Sequence, residues 1–290
     1  MYSEIASNKR KTWLIIALFA VIVGGLGWVI GNMYGSPMFF WLALIFAGVY
    51  ALVQYFAAAK LALSMNKAQE VTKKEEPRLY RTVENLSIAT GMPMPKVYVM
   101  EERGLNAFAT GRDPKHAVVA ATRGLLDTMD DDELEAVMAH EMGHVKNYDI
   151  RVMMIVFGLV SAIGIVADII MHSFFWNSDN RNSSPALLVV GILAAILAPL
   201  AATLVQLAVS RRREYLADST GALTTRHPEA LASALEKIRD HGSVTKRQNS
   251  ATAHLFFANP LRASSMAKWF STHPPVEERI KRLREMGTHA

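Results

Sequence analysis

Two histidines four residues apart, with a glutamate beside the first, can do metal-assisted hydrolysis, and His140-Glu141-Met142-Gly143-His144 has that pattern. On a helix, positions i and i+4 differ by about 40° around the axis and about 6 Å along it, so both imidazoles project from one face. A neutral imidazole pair so placed can grip Zn²⁺ at ~2.0–2.1 Å per bond. Glu141 then stands where a carboxylate can take a proton from an attacking water. The plainer reading is a helix with two hydrogen-bonded surface histidines. Of the chain's nine histidines, however, only this pair has the spacing.

A catalytic zinc takes three protein ligands and keeps one position open. The chain has no Cys, so the third ligand is His, Asp or Glu. Arg213-Glu214-Tyr215-Leu216-Ala217-Asp218 lies just after an apolar stretch, as the histidine pair lies just before another. If those stretches pack as a hairpin, Glu214 comes beside the histidines. Asp218, one turn on, can then accept a hydrogen bond from the far nitrogen of a ligand histidine. The competing reading makes Glu214 and Asp218 ion-pair partners of Arg211, Arg212 and Arg213.

The histidines need a rigid helix beneath them. Asp130 can cap one, with Glu133 three residues later in capping-box position. Leu134, Val137, Met138 and Val145 keep helical spacing and predict one buried face. Pro77 at a first turn and Gly91 beyond the end predict a helix over 77–89. Lys96-Val97-Tyr98-Val99-Met100, Asn106-Ala107-Phe108-Ala109-Thr110-Gly111 and residues 117–121 read as short strands separated by turn residues, which predicts a small antiparallel sheet. Further helices are expected over 228–240 and after Pro274-Pro275.

The charges tell where these elements sit. Residues 12–59, 152–167 and 182–210 contain no Asp, Glu, Lys or Arg, although the 290-residue chain has 31 basic and 26 acidic residues. Stretches 13–31 and 38–59 are long enough to cross a ~30 Å hydrocarbon core as a hairpin. Stretches 152–175 and 186–209 form a second pair around the polar loop 177–184. A cleaved signal peptide is the other reading of the first stretch, but 32–37 has no small-x-small cleavage site. Lys9, Arg10, Lys11, Lys60, Lys67, Arg151 and the arginines 211–213 flank the apolar stretches, so the net +5 charge is a positive-inside signal rather than a nucleic-acid footprint. A simple cytosolic enzyme and a disordered chain are excluded. The expected architecture is α+β: a multi-pass membrane protein with four transmembrane helices and a mainly helical cytoplasmic domain that carries the histidine motif and the small antiparallel sheet. Residues 1–65 form the first transmembrane hairpin, and 66–290 the cytoplasmic domain, interrupted by the second hairpin at 152–210.

With these motifs in place the chain resembles the HtpX family of membrane zinc metalloproteases. The resemblance rests on His140-Glu141-x-x-His144 and Glu214-x-x-x-Asp218 with a hairpin between them. It also rests on Asn106-Ala107-Phe108-Ala109-Thr110-Gly111, on His254-Leu255-Phe256 with Asn259-Pro260, and on Thr272-His273-Pro274-Pro275, so it covers nearly the whole chain. It implies that the cytoplasmic domain is a zincin-like protease, a zinc endopeptidase of the thermolysin-like ligand class with one zinc per chain. His140, His144 and Glu214 would be ligands, Glu141 the base and Asp218 a support behind a ligand. Asn106, Ala107, Phe108 and Ala109 would belong to the edge strand that pairs with substrate backbone. The implied partners are the lipid bilayer and misfolded or damaged membrane proteins, cleaved in cytoplasmic, membrane-proximal segments under stress. The implied place is the inner or plasma membrane of a bacterium, with the active site and both termini cytoplasmic. No nucleic-acid partner is expected, and the sequence does not fix an oligomeric state.

Other functions use parts of the same motif set. A protease that trims prenylated protein tails shares the ligands, although four spans rather than an enclosing barrel of them favour general proteolysis. A zinc-stabilised scaffold without catalysis would have no use for Glu141. A metal transporter would need polar residues across several spans, and Asp168 with His172 falls near the outer end of the third. His273 is a further candidate for the metal's surroundings, because Pro274 and Pro275 restrict the backbone around it. It would stabilise an oxyanion, rest on zinc, or only cap the last helix.

Overall fold

The computed structural model describes residues 2–176, 211–245, 255–258 and 274–287. Helices α1 (Tyr2–Tyr34) and α2 (Met38–Met65) pack on each other as a hairpin, turned at Gly35 and restarted at Pro37. Their outer faces are apolar and open: Trp13, Val21 and Trp28 on α1, and Trp41, Ile45 and Leu52 on α2, are all exposed. Among the described residues, α2 is the one helix long and apolar enough by hydropathy to cross a membrane. A later helix, α6 (Asp149–Trp176), packs on both. Val152, Ile155, Val156 and Leu159 are buried there with Ile15, Phe19 and Ala47. The expected span 186–209 and its loop lie outside the described residues, as do His254, Asn259, Pro260, Thr272 and His273.

Four strands form one sheet: β1 (Gln69–Glu70), β2 (Lys96–Met100), β3 (Ala107–Gly111) and β4 (Ala117–Thr122), in the order β1-β2-β4-β3. The expected antiparallel sheet is corrected here to a mixed one. β1–β2 and β3–β4 are antiparallel, but β2 and β4 run parallel with Val97 opposite Val119. The reason is burial on both faces. Val97, Val99, Ala107, Ala109, Val119 and Ala121 face the core of soluble helices, whereas Met100, Phe108, Val118 and Ala120 face α2 and α6. All six residues of β4 are buried, as suits a central strand, whose sequence is an unbroken apolar run rather than an alternation. The chain leaving β2 therefore passes one position beyond, lays down β3, and returns as β4 between them.

The soluble core is built from α3 (Pro77–Thr90), α4 (Arg123–Thr128), α5 (Asp131–Lys146), α7 (Arg211–Thr225), α8 (Pro228–His241) and α9 (Val276–Gly287). Pro77 opens α3, and Gly91, at φ 65°, closes it in the left-handed region that glycine enters without penalty. On α5 the capping box closes both ways. Asp130 Oδ1 accepts from the Glu133 N–H and Glu133 Oε2 accepts from the Asp130 N–H, each at 2.9 Å. This helix touches α3, α7, α8 and the sheet, so it forms the axis of the domain.

Candidate metal centre

His140, Glu141 and His144 are all buried on α5. Helix α7 approaches this face closely because small residues line the crossing. A methyl group on Gly221 would come within 3.0 Å of the His140 nitrogen, and one on Gly143 would touch Ala217. Glu214, Asp218 and Gly221 follow at i, i+4 and i+7, so the close approach delivers both carboxylates to the histidines.

His140 Nε2 and His144 Nε2 lie 3.2 Å apart. Glu214 reaches in with Oε1 at 3.7 Å from His144 Nε2 and Oε2 at 3.9 Å from His140 Nε2. Two neutral ring nitrogens this close repel each other unless a proton or a cation lies between them. Ligand atoms on a tetrahedral ion with legs of ~2.0–2.1 Å stand ~3.3–3.4 Å apart, so the nitrogen pair already fits and Glu214 needs to close by a few tenths of an ångström. Among the described residues, these three are the one group whose donor atoms could hold a metal, all within 4.8 Å of one another. Two imidazoles and a carboxylate suit zinc, and they leave a fourth position open.

The far side of each imidazole meets a carboxylate. His140 Nδ1 lies 2.9 Å from Asp218 Oδ1. Asp218 is clamped by buried Arg279 of α9, whose Nε and Nη2 donate at 2.9 and 2.7 Å. His144 Nδ1 lies 3.0 Å from Asp149 Oδ2. A carboxylate at Nδ1 keeps the proton there and turns the Nε2 lone pair inward, as metal ligation needs.

In the metal-free site the two histidines titrate apart. Burial pushes His140 down to about 4, against the opposing pull of Asp218. Burial also disfavours charge on His144, but the carboxylates of Glu214, Asp149 and Glu141 outweigh it and hold His144 up at about 9. Burial would raise Asp218, yet Arg279 and His140 hold it down at about 2. Glu141 acts electrostatically on both His144 and Arg279, which places its carboxylate within the same cluster.

The expected substrate strand has a neighbour of its own. Residues 255–258 form a strap along β3, with an antiparallel bridge between Phe108 and Phe256. The Phe257 N–H donates to the Ala107 carbonyl at 2.8 Å. Asn106 grips the strap from the side: its Nδ2 donates to the Ala258 carbonyl at 2.7 Å and its Oδ1 accepts from the Ala258 N–H at 3.1 Å. Phe108 is buried against Phe256, and Ala109 is buried on the soluble face of the sheet. Phe257 stands edge-on to His140, with ring centroids 4.8 Å apart, and Arg279 lies over the Phe257 ring at 4.8 Å.

The structure thus gathers His140, Glu141, His144, Glu214 and Asp218. It places Ala107, Phe108 and Ala109 on β3 and Asn106 just before it, and His273 lies outside the described residues. Sequence reasoning missed Asp149, Arg279 and Phe257. Asp149 carried a faint signal, a carboxylate five residues past the second histidine at the start of a new helix. Arg279, 61 residues from Asp218, carried none.

Comparison with known proteins agrees with this geometry. The profile of peptidase family M48 matches residues 73–287. A protease HtpX homolog of Tropheryma whipplei (strain Twist) is 55% identical, over 99% of this chain and 99% of its own. Another, from Dictyoglomus turgidum, is 44% identical over 99% of this chain and 95% of its own. Among solved structures, the crystal structure of S. mikatae Ste24p superposes with a TM-score of 0.53 at 19% identity, over 98% of this chain and 67% of that one. At that identity the likeness is one of fold.

Proposed function

The chain belongs to peptidase family M48, as an HtpX-type membrane metalloprotease, and from that premise we propose that His140, His144 and Glu214 hold one zinc per chain and that Glu141 is the catalytic base. The observation that carries this reading is the convergence of the three donor groups within 4.8 Å, with Glu141 also buried, next to His140 on the same helix. A zinc held by His140, His144 and Glu214 would supply Lewis acidity to the scissile carbonyl and the attacking water. Glu141 takes the water's proton and passes it to the leaving amine. Asp218 and Asp149 keep the ligand imidazoles in the tautomer that presents Nε2. His273, outside the described residues, is kept on sequence grounds as a candidate for the metal's surroundings, because Pro274 and Pro275 restrict its backbone.

An extended substrate adds to β3 over Asn106, Ala107, Phe108 and Ala109, where it competes with residues 255–258. The bridge of Phe256 to Phe108 supports this, since that edge takes an antiparallel partner. The protease domain, 66–290, sits against the bilayer on the cytoplasmic side, with hairpins at 1–65 and 152–210 forming four spans and both termini inside. Support comes from Asp149, which touches His144 and opens the helix that carries the apolar stretch from Val152. Substrates are therefore cytoplasmic segments close to the membrane, such as those of misfolded or damaged membrane proteins under stress.

The test is zinc analysis and casein digestion of purified protein. Glu141→Gln is expected to keep zinc and lose at least nine-tenths of the activity, about tenfold or more, because an amide accepts no proton. His140→Ala and Glu214→Ala are expected to lose the metal. Full zinc occupancy in Glu214→Ala would move the third ligand elsewhere.

A further inference from the structure

Helix α5 ends at Lys146, and within three residues the chain has started α6 in a new direction. The turn needs Tyr148 at φ 61°, in the left-handed region that a bulky residue rarely enters. Such a conformation persists only where its surroundings hold it. The product of the turn is the placement of Asp149, folded back with Oδ2 on His144 Nδ1 at 3.0 Å.

What holds the turn comes from the N-terminal hairpin. Asn8 of α1 is buried, and its Nδ2 donates to Asp149 Oδ1 at 2.7 Å and to the Asn147 carbonyl at 2.9 Å. Lys9, next along α1, lies over the Tyr148 ring at 4.8 Å, and Arg151 lies over that ring at the same distance. The other cation near Asp149 is a poor substitute for Asn8. Arg213 stands with Nε 3.8 Å from Oδ1, and its buried guanidinium nitrogens have no hydrogen-bond partner among the described residues.

We propose that α1 is part of the metal centre's support: Asn8, acting through Asp149, is a positioning residue for the ligand His144. Asn8 fixes one carboxylate oxygen so that the other faces the imidazole. Without it, Asp149 turns toward Arg213 and releases His144. The first helix of the hairpin, expected from sequence only to anchor the chain in the bilayer, then also sets how tightly the metal is held. This inference rests on the zinc reading of the site above.

The experiment measures zinc affinity of the detergent-solubilised full-length protein, stripped of metal and titrated against a chromophoric chelator. Changes behind a ligand histidine cost about 10–100-fold in metal affinity, so Asp149→Ala is expected in that range and Asn8→Ala at about tenfold. The double variant is expected to be no weaker than Asp149→Ala alone, because both act through one contact. Cobalt bound in place of zinc should show altered visible absorption bands in Asn8→Ala, as His144 changes its angle. A purely structural role would lower the melting temperature of the metal-free protein and leave the zinc affinity alone. Affinity in Asn8→Ala within twofold of the parent, or full additivity in the double variant, would overturn the proposal. If Asn8→Ala does not fold, the isosteric Asn8→Asp, which replaces the donor by an acceptor, is read in the same way. Failure of the parent to bind zinc more tightly than His140→Ala would instead sink the metal-centre reading itself.

Discussion

The two candidate histidine ligands stand on one helix, one turn apart, yet they are supported by different elements of the molecule. Behind His140 stand Asp218 and Arg279, carried by helices of the soluble core. Behind His144 stand Asp149 and Asn8, at the start of α6 and on α1, where the apolar helices begin. The first support is a bidentate ion pair, buried and complete. The second is a carboxylate held by one amide, with an arginine near it that makes no hydrogen bond among the described residues. The contrast suggests a division of labour. On this reading the His140 side is the fixed half of the site, and the His144 side is the half that the apolar helices α1 and α6 contact.

The largest effect should come from breaking the fixed half. Arg279→Leu leaves the Asp218 carboxylate buried without its partner, which costs about 3–5 kcal/mol of stability by chemical denaturation. Pairing it with Asp218→Asn should recover much of that loss, since removing both charges avoids an uncompensated one. Zinc affinity should stay low in the double variant, because His140 still lacks its anionic support. If stability and zinc affinity recovered together, the ion pair would be a fold element only.

A smaller effect separates the halves by pH. In the metal-free protein His144 is held up at about 9, above its unfolded value near 6.5. Its contribution to stability is therefore fully present below pH 6.5 and is lost as pH rises through about 9. His140, pushed down to about 4, behaves the other way: its contribution is present above pH 6.5 and is lost as pH falls toward about 4. The melting temperature of the metal-free protein should accordingly peak near pH 6.5, and Asp149→Asn should flatten the alkaline side alone. At pH 7.5 His144 is a cation and must shed its proton to bind metal, so zinc binding should release about one proton, as read by calorimetry in buffers of different ionisation heat. Release of none would mean that His144 is already neutral.

The same division marks what the sequence revealed. His140, His144, Glu214 and Asp218 were legible because helical spacing is local, and two pairs at i and i+4 announce two faces that could share an ion. The capping box of Asp130 and Glu133, the proline that opens α3 and the glycine that ends it were legible for the same reason. The parallel pairing of β2 with β4 was hidden because it depends on helices packing over both faces of the sheet, and no window of sequence records that. Its one trace was the unbroken apolar run at 117–121. Arg279 was hidden because a charged residue on an amphipathic terminal helix reads as solvated, and only the packing of α9 buries it. Asn8 sat among Lys9, Arg10 and Lys11, where the basic run reads as a membrane-topology signal.

The smallest effect concerns the strap, which links the fixed half to the expected substrate strand. Phe257 contacts both His140 and Arg279, edge-on to the imidazole and beneath the guanidinium. Phe257→Leu keeps an apolar group of similar bulk but removes the ring, so it forfeits one aromatic contact and one cation–π contact, about 1–2 kcal/mol together. The ion pair of Arg279 with Asp218 does not pass through the ring, so zinc affinity should stay within about threefold of the parent, well short of the change expected behind a ligand. The strap would be weakened on β3, where the Phe257 N–H holds the Ala107 carbonyl. If substrate competes for that edge, casein hydrolysis per zinc-loaded molecule should rise while the melting temperature falls. Lower stability together with lower activity at full zinc occupancy would show that the strap helps to shape the productive site, and β3 would then lose its place as the edge contested with substrate.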